Sequence, residues 1–311
     1  MNSKKAEPTK PNFLIVGAAR CGTTALRGYL RQHPEIYIPE KKECRYFSNI
    51  KDKYLDNEYD RSMNRTYIDS RKEYLQLFEK AHGAKAIGDV SPDYLYNHEE
   101  SVPRILEELG PDVKIIIALR DPRYRAFSHY MHHAKSFVTP DGSFEEALEN
   151  EAEREGTWAW YWQYRKAGLY AGQVGAYLEN FASVKIVVFE SFLENRLEGL
   201  AELFEYLKVT SAANISLEVN PNTSREFRTK VGYITVQRLM KRVYRISNRR
   251  LVRLAEFLFY KKKKRTLSTK TKQELTRYYK ADVARLEKLT GMSLHAWLGQ
   301  EQRSEPPSRT A

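Results

Sequence analysis

The sequence predicts an α/β protein with a P-loop-type central parallel sheet flanked by helices and a helical C-terminal part. Three observations carry this. Short apolar runs at 13–16, 85–88, 114–119 and 184–189 alternate with stretches of helical spacing, the pattern of parallel strands joined by helical crossovers. The first run leads through a glycine-bounded loop into a helix start, FLIVGAARCGTTALRGYL over 13–30. That order of strand, loop and helix is a phosphate cradle, because unpaired N–H groups and the helix dipole both favour an anion there. Finally, from about residue 233 the spacing turns helical and strongly basic as far as residue 289.

Composition sets the bounds. With 41% hydrophobic residues, 12% aromatics and no excess of glycine or proline, the 311 residues can bury a sizeable core. Residues 12–300 read as one domain, with 1–11 as a disordered lead-in and 301–311 as a disordered tail. No run of about 18 apolar residues predicts a membrane span, and the basic opening MNSKKAEPTKPN does not read as a secretory signal. Two cysteines, Cys21 and Cys44, are too few for a disulfide framework and lack a metal-ligand pattern, so the expected compartment is reducing, the cytoplasm. A net charge of +12 predicts attraction to anions such as nucleotides, acidic glycans, nucleic acid or acidic membranes.

The loop departs from a nucleoside triphosphatase in one respect. Gly17 and Gly22 keep the spacing of a P-loop, but Thr23 stands where the lysine is expected and the charge moves to Arg20. A triphosphatase needs that lysine with magnesium. Arg20, followed by Cys21, Gly22, Thr23 and Thr24, could instead grip a terminal anionic group without a metal. A βα turn that merely needs small residues is the plainer alternative, and Cys21 could be only a small residue there.

Further along, KKECRYF at 41–47 sets Glu43 among Lys41, Lys42 and Arg45. Facing the phosphate loop, Glu43 could take a proton from an acceptor hydroxyl; a surface charge cluster is the alternative. A helical pattern covers 71–80. Ser91 and Pro92 break the strand in DVSPDYLY at its carboxyl end, where open α/β sheets bind ligands, making Asp89, Ser91 and Tyr94 candidate rim residues.

The stretch KIIIALRDPRYRAFSHYMHH at 114–133 ends a strand in Arg120, caps a helix with Asp121 and Pro122, and places Ser128 about two turns on. Arg120 and Ser128 could fork onto a second phosphate, or Arg120 could simply pair with Asp121. The neighbouring His129, His132 and His133 lack a partner at ligand spacing, so no metal is expected; one should line the acceptor cleft and the others lie at the surface. Ser143 and Glu146 read as a capping box for a short acidic helix. Trp158, Trp160, Tyr161, Trp162 and Tyr164 crowd five aromatics into seven positions, as a stacking wall or as packing for an inserted helical piece. Amphipathic helices are expected over 168–181 and 195–207. The loop at 220–232, with Arg225, Arg228 and Lys230, could close over an anion, and the run 261–265 could touch an anionic membrane or remain a solvated charge run.

Together these stretches resemble the sulfotransferases that use PAPS, adenosine 3′-phosphate 5′-phosphosulfate, especially the bacterial and heparan-sulfate branch. GAARCGTTAL is similar to the family's 5′-phosphosulfate loop and LRDPRYRAFSHY to its 3′-phosphate motif, and the likeness runs on through KAGLYAGQVGAYLENF, VVFESF and ARLEKLTGMSLHAWL. The resemblance implies that Arg20, in place of the usual loop lysine, binds the transferring sulfuryl group, and that Cys21, Gly22, Thr23 and Thr24 form the rest of the loop site. It implies further that Arg120 and Ser128 hold the 3′-phosphate, that Arg228 is a weaker donor contact, and that Glu43 is the acceptor base. Arg45 and Val90 depart from heparan-type relatives near the acceptor. The implied acceptor is a hydroxyl or amine of a carbohydrate, glycolipid or small molecule, with no metal, no nucleic acid, and a peripheral membrane contact through the basic C-terminal helices as an option. Two rivals stand: a P-loop kinase or nucleotide hydrolase, which requires magnesium and ATP, and a non-enzymatic module binding an anionic polymer or membrane through 225–265.

Overall fold

The computed structural model describes residues 8–136, 138–211, 214–218, 226–227, 260–261 and 266–299. Its centre is β1 (Phe13–Gly17), every residue of which is buried. Parallel partners flank it on both sides. β3 (Ala86–Val90) aligns Leu14 with Asp89, and β4 (Lys114–Leu119) aligns Leu14 with Ile115. The edges are β2 (Ile36–Tyr37) and β5 (Val184–Val188), giving the order β2-β3-β1-β4-β5. Continuous apolar runs suit strands covered on both faces; four of the five parallel strands fall at the runs read from the sequence, and the edge strand β5 is mostly half-buried.

After β1 the chain moves outward to one edge and later crosses to the other, so the order switches beside β1. Ligands gather at the carboxyl ends beside such a switch. There the chain enters α1 (Thr23–Leu30), and after β4 it enters α5 (Pro122–Lys135). Pro122 suits the first turn of α5, and Asp121 caps that helix by accepting from the Arg123 N–H at 3.0 Å.

Between them lie α2 (Glu58–Asn64), α3 (Arg71–Gln76) and α4 (His98–Leu109). Asn57 and Ser70 cap the first two through their side chains. Next come α6 (Phe144–Glu149), capped by Ser143 with Glu146 reaching back to the Gly142 N–H, and α7 (Tyr170–Asn180). α8 (Phe189–Glu194) and α9 (Arg196–Leu207) follow β5 and meet α1, with Tyr29 6.1 Å from Phe192 and His33 4.9 Å from Phe204.

The last helix, α10 (Thr269–Thr290), packs on α7 through Leu275, Tyr279, Val283 and Leu286, a stripe at spacings of three and four. Each such side chain contributes about 1.5–3 kcal/mol when fully buried. The Asp282 carboxylate accepts from the N–H groups of Tyr170 and Ala171, tying α10 to the start of α7. Lys10, in the expected lead-in, donates to the Glu108 carbonyl at 2.8 Å. Of the helical expectation over 233–289, residues 233–259 and 262–265 lie outside the described residues, and the part from Thr269 is helical. At Tyr260–Lys261 the expectation gives way to a short strand, β7, paired antiparallel with β6 (Glu226–Phe227). Aromatic residues favour such pairing. Apart from those four residues, the loop at 220–232 and the charge run at 261–265 lie outside the described residues.

Candidate active site

The phosphate loop leaves β1 and turns into α1 with two residues in left-handed conformations, Arg20 (φ 73°) and Gly22 (φ 87°). Gly22 is the N-cap of α1 and offers no capping side chain, so the first N–H groups of the helix remain available to a ligand. A glycine is required there twice over. Its φ is unfavourable to other residues, and a Cβ would come within 2.7 Å of the Phe189 ring. Arg20 is half-buried, and its Nε has no hydrogen-bond partner. Burial lowers its pKa, and so does the charge of Arg120. Cys21 turns the other way. Its Sγ lies 3.6 Å from the Tyr170 hydroxyl, burial pushes the thiol up to about 11, and its N–H is spent on the Ala18 carbonyl. The ligand role expected of Cys21 is therefore corrected to a packing role.

A second wall comes from the loop after β2. Glu43 N–H donates to the Val90 carbonyl and Arg45 N–H to Ser91 Oγ, which stitches this loop to the end of β3. Both residues have positive φ, 56° and 59°, a conformation uncommon for side-chain-bearing residues and found most often where function dictates it. Glu43 does face the phosphate loop. Lys42 Nζ links them, 2.7 Å from Glu43 Oε1 and 2.7 Å from Thr24 Oγ1, while Arg45 donates to Glu43 Oε2 at 2.7 Å. Burial raises the Glu43 pKa, but the charges of Arg45 and Lys42 outweigh it and hold the group at about 2. It is a fully ionised carboxylate, locked between two cations.

The third wall is aromatic. Asp60 of α2 accepts from Trp162 Nε1 at 2.7 Å and from the Ala159 N–H, which anchors a tight turn at Trp160–Trp162. Trp160 and Tyr161 line a cavity together with Arg20, Thr24, Lys42 and Glu43. Trp162 and Tyr164 pack inward, so the five-aromatic stretch divides between wall and core. His129, His132 and His133 all line the cavity. The expectation that only one does so is corrected: His129 and His133 are buried, and only His132 is exposed. His132 is exposed along part of its side chain while lining the cavity, and desolvation there, with Arg20's charge, holds its imidazole down at about 4; burial lowers His129 and His133 well below the usual range.

Arg120 follows β4 directly. Its guanidinium lies 5.0 Å over the Phe189 ring, its carbonyl accepts from the Tyr170 hydroxyl at 3.0 Å, and its Nε is buried without a partner. Asp121 pairs instead with Arg123, at 2.7 Å, which sets aside the plain ion-pair reading of Arg120. Arg120 lies close enough to lower the basicity of Arg20, and two neighbouring guanidinium groups, each with a buried nitrogen that lacks a partner, fit an anion. Ser128 lies half-buried on α5, outside the cavity lining, and Arg228 falls outside the described residues.

The rim expected at Asp89, Ser91 and Tyr94 is corrected. All three are buried beneath the site, where Asp89 accepts from Ser91 and Tyr94 at 2.8 Å and from Tyr74 at 3.2 Å. The residues of that segment that reach the cavity are Pro92 and Asp93. Pro92 interrupts the strand alternation that would have pointed to Asp93. The sequence reading also passed over Tyr59 and Met63, which line the cavity from α2 because α2 is pinned to the aromatic turn through Asp60.

Fold and site define an α/β protein with two guanidinium groups at the carboxyl end of a parallel sheet and a carboxylate in a cavity beside one of them. The comparisons agree. A family model described as the sulfotransferase family matches residues 11–212, and the chain belongs to that family. A solved sulfotransferase from Alicyclobacillus acidocaldarius is 32% identical, with a TM-score of 0.74 over 93% of this chain and 99% of that one. Among curated relatives, the membrane-associated sulfotransferase kil1 of Dictyostelium discoideum is 32% identical over 46% of this chain and 28% of its own length. A bifunctional heparan sulfate N-deacetylase/N-sulfotransferase 4 from Mus musculus is 30% identical over 39% of this chain and 13% of its own length. The chain therefore spans less than a third of these curated relatives.

Proposed function

We propose that this protein transfers a sulfuryl group from PAPS to a hydroxyl or amine of a carbohydrate, glycolipid or small-molecule acceptor. One observation carries the reading: Arg20 and Arg120 lie close together after β1 and β4, two like charges each with a buried nitrogen that no protein group satisfies. The donor supplies an activated sulfuryl group on a nucleotide leaving group, and the residues present would bind it in two places. Arg20, Gly22, Thr23 and Thr24 take the 5′-phosphosulfate end, while Arg120 and Ser128 take the 3′-phosphate, with Arg228 as a further contact.

Glu43 takes the proton of the acceptor as the new bond to sulfur forms, and Arg20 with the loop N–H groups stabilises charge building on the leaving oxygen. Held at about 2, Glu43 is a weak base at rest. Lys42, which already reaches Thr24, is placed to turn toward an arriving anion and so return basicity to Glu43. The carbohydrate acceptor rests on the heparan-sulfate and carbohydrate relatives and on the aromatic wall. Two buried free thiols support the cytoplasm as its compartment.

The test compares PAPS with adenosine 5′-phosphosulfate, which lacks the 3′-phosphate. Wild type should prefer PAPS in kcat/KM by about a hundredfold or more, as charge-assisted contacts warrant, and Arg120→Ala should erase most of that preference. Equal use of both donors by wild type would reject the assignment of Arg120.

A further inference from the structure

The cavity holds polar atoms that neither the donor site nor the proton transfer uses. Asp93 is 1% exposed; the Arg45 charge and the Ser48 hydroxyl lie near it, yet neither carboxylate oxygen receives a hydrogen bond of good geometry from them. Trp160 and Arg45 are 8% and 7% exposed, and both approach the Tyr67 hydroxyl, but Trp160 Nε1 and Arg45 Nε make no hydrogen bond of good geometry. All three residues line the same cavity as Glu43. Leaving a buried donor or acceptor unmade costs about 1–3 kcal/mol each, and native structures pay this rarely and locally.

Two acceptor oxygens and two donor nitrogens thus belong to residues lining one cavity, with an indole and a phenol ring among its walls. The group that satisfies both kinds at once is a hydroxyl, which donates and accepts, and a molecule bearing several of them on an apolar ring face is a sugar. Charge narrows the class further. Glu43 is already paired with Lys42 and Arg45, so an anionic acceptor would meet the Asp93 carboxylate, while a cationic one would meet Arg20, Lys42 and Arg45 in the same cavity.

We propose that Asp93 is a specificity-determining residue that receives hydrogen bonds from two neighbouring hydroxyls of an uncharged sugar, with Trp160 Nε1 donating to the same ring, and that this holds the acceptor hydroxyl toward Glu43. The proposal rests on the sulfotransferase reading and names its acceptor.

The experiment uses the full chain, PAPS, and three probes: 4-nitrophenyl β-D-galactopyranoside, its uronate and its 2-amino counterpart. Release of adenosine 3′,5′-bisphosphate is followed, and binding of that nucleotide is measured separately by calorimetry. The neutral glycoside should be used about tenfold better than either charged probe, and Asp93→Asn should raise its KM about tenfold or more with kcat within about threefold, the loss expected for hydrogen bonds to a charged group. Trp160→Phe, which keeps the ring and removes the donor, should raise KM in the same sense. Nucleotide binding should be unchanged in both variants, which also reports that they fold. Preference for a charged probe, turnover of none of the three, or an Asp93→Asn KM equal to wild type would overturn the proposal while leaving the donor reading intact. A wild type that does not bind the nucleotide would overturn the sulfotransferase reading and the proposal with it.

Discussion

At the scale of single residues, Glu43 shows why position and protonation have to be argued separately. Its burial would raise its pKa, yet Arg45 and Lys42 hold it at about 2, down from an ordinary value near 4.5. A depressed carboxylate pKa favours the folded state above the unfolded value, and that contribution is lost only as pH falls toward 2, so these ion pairs stay intact between pH 5 and 8. Glu43→Gln keeps the shape and loses the charge. It should lower kcat about a hundredfold or more while the affinity for adenosine 3′,5′-bisphosphate stays within about threefold. Undiminished kcat would pass the base role to His132, whose imidazole is neutral in the same cavity. The sequence reading could place Glu43 among cations because they are its neighbours in the chain. It had no means of seeing Asp93 as a cavity residue, since that depends on where Pro92 turns the chain after β3.

At the scale of elements, the loop between β1 and α1 is where local sequence dictates most. Gly22 is bound to its role by a φ of 87° and by the Phe189 ring, which stands where a Cβ would be. Gly22→Ala should destabilise the protein by about 1–3 kcal/mol from conformation and crowding together, read as a lower Tm, and should weaken nucleotide binding because the clash displaces the N-cap of α1. Unchanged Tm and affinity would show that α1 does not depend on that turn. The strands were legible because a buried parallel strand is a short apolar run, and α5 because Asp121 and Pro122 announce its start. The aromatic stretch was legible only as an excess. Which rings face the cavity is decided by Asp60, nearly a hundred residues upstream, which holds Trp162 and Ala159, and no local pattern carries that information.

At the scale of the whole molecule, the sheet order brings together loops that are far apart in sequence. Arg20 after β1, Glu43 after β2, Asp93 after β3 and Arg120 after β4 all follow carboxyl strand ends, as a doubly wound sheet requires. The family resemblance named residues for the donor end because its motifs are local, and the structure brings Arg20 and Arg120 close together there. The acceptor end was not readable, because it is assembled from α2, the aromatic turn, α5 and the loop before α4. A net charge of +12 agrees with an anionic donor but equally with the kinase and polymer-binding rivals, so the decisive evidence is which nucleotide the site takes. The most direct measurement is calorimetric binding of adenosine 3′,5′-bisphosphate without divalent metal, against ATP with magnesium, on wild type and Arg120→Ala. Tight metal-free binding of the bisphosphate that Arg120→Ala weakens about a hundredfold is the predicted result. Preference for ATP with magnesium, or bisphosphate binding indifferent to Arg120, would contradict it.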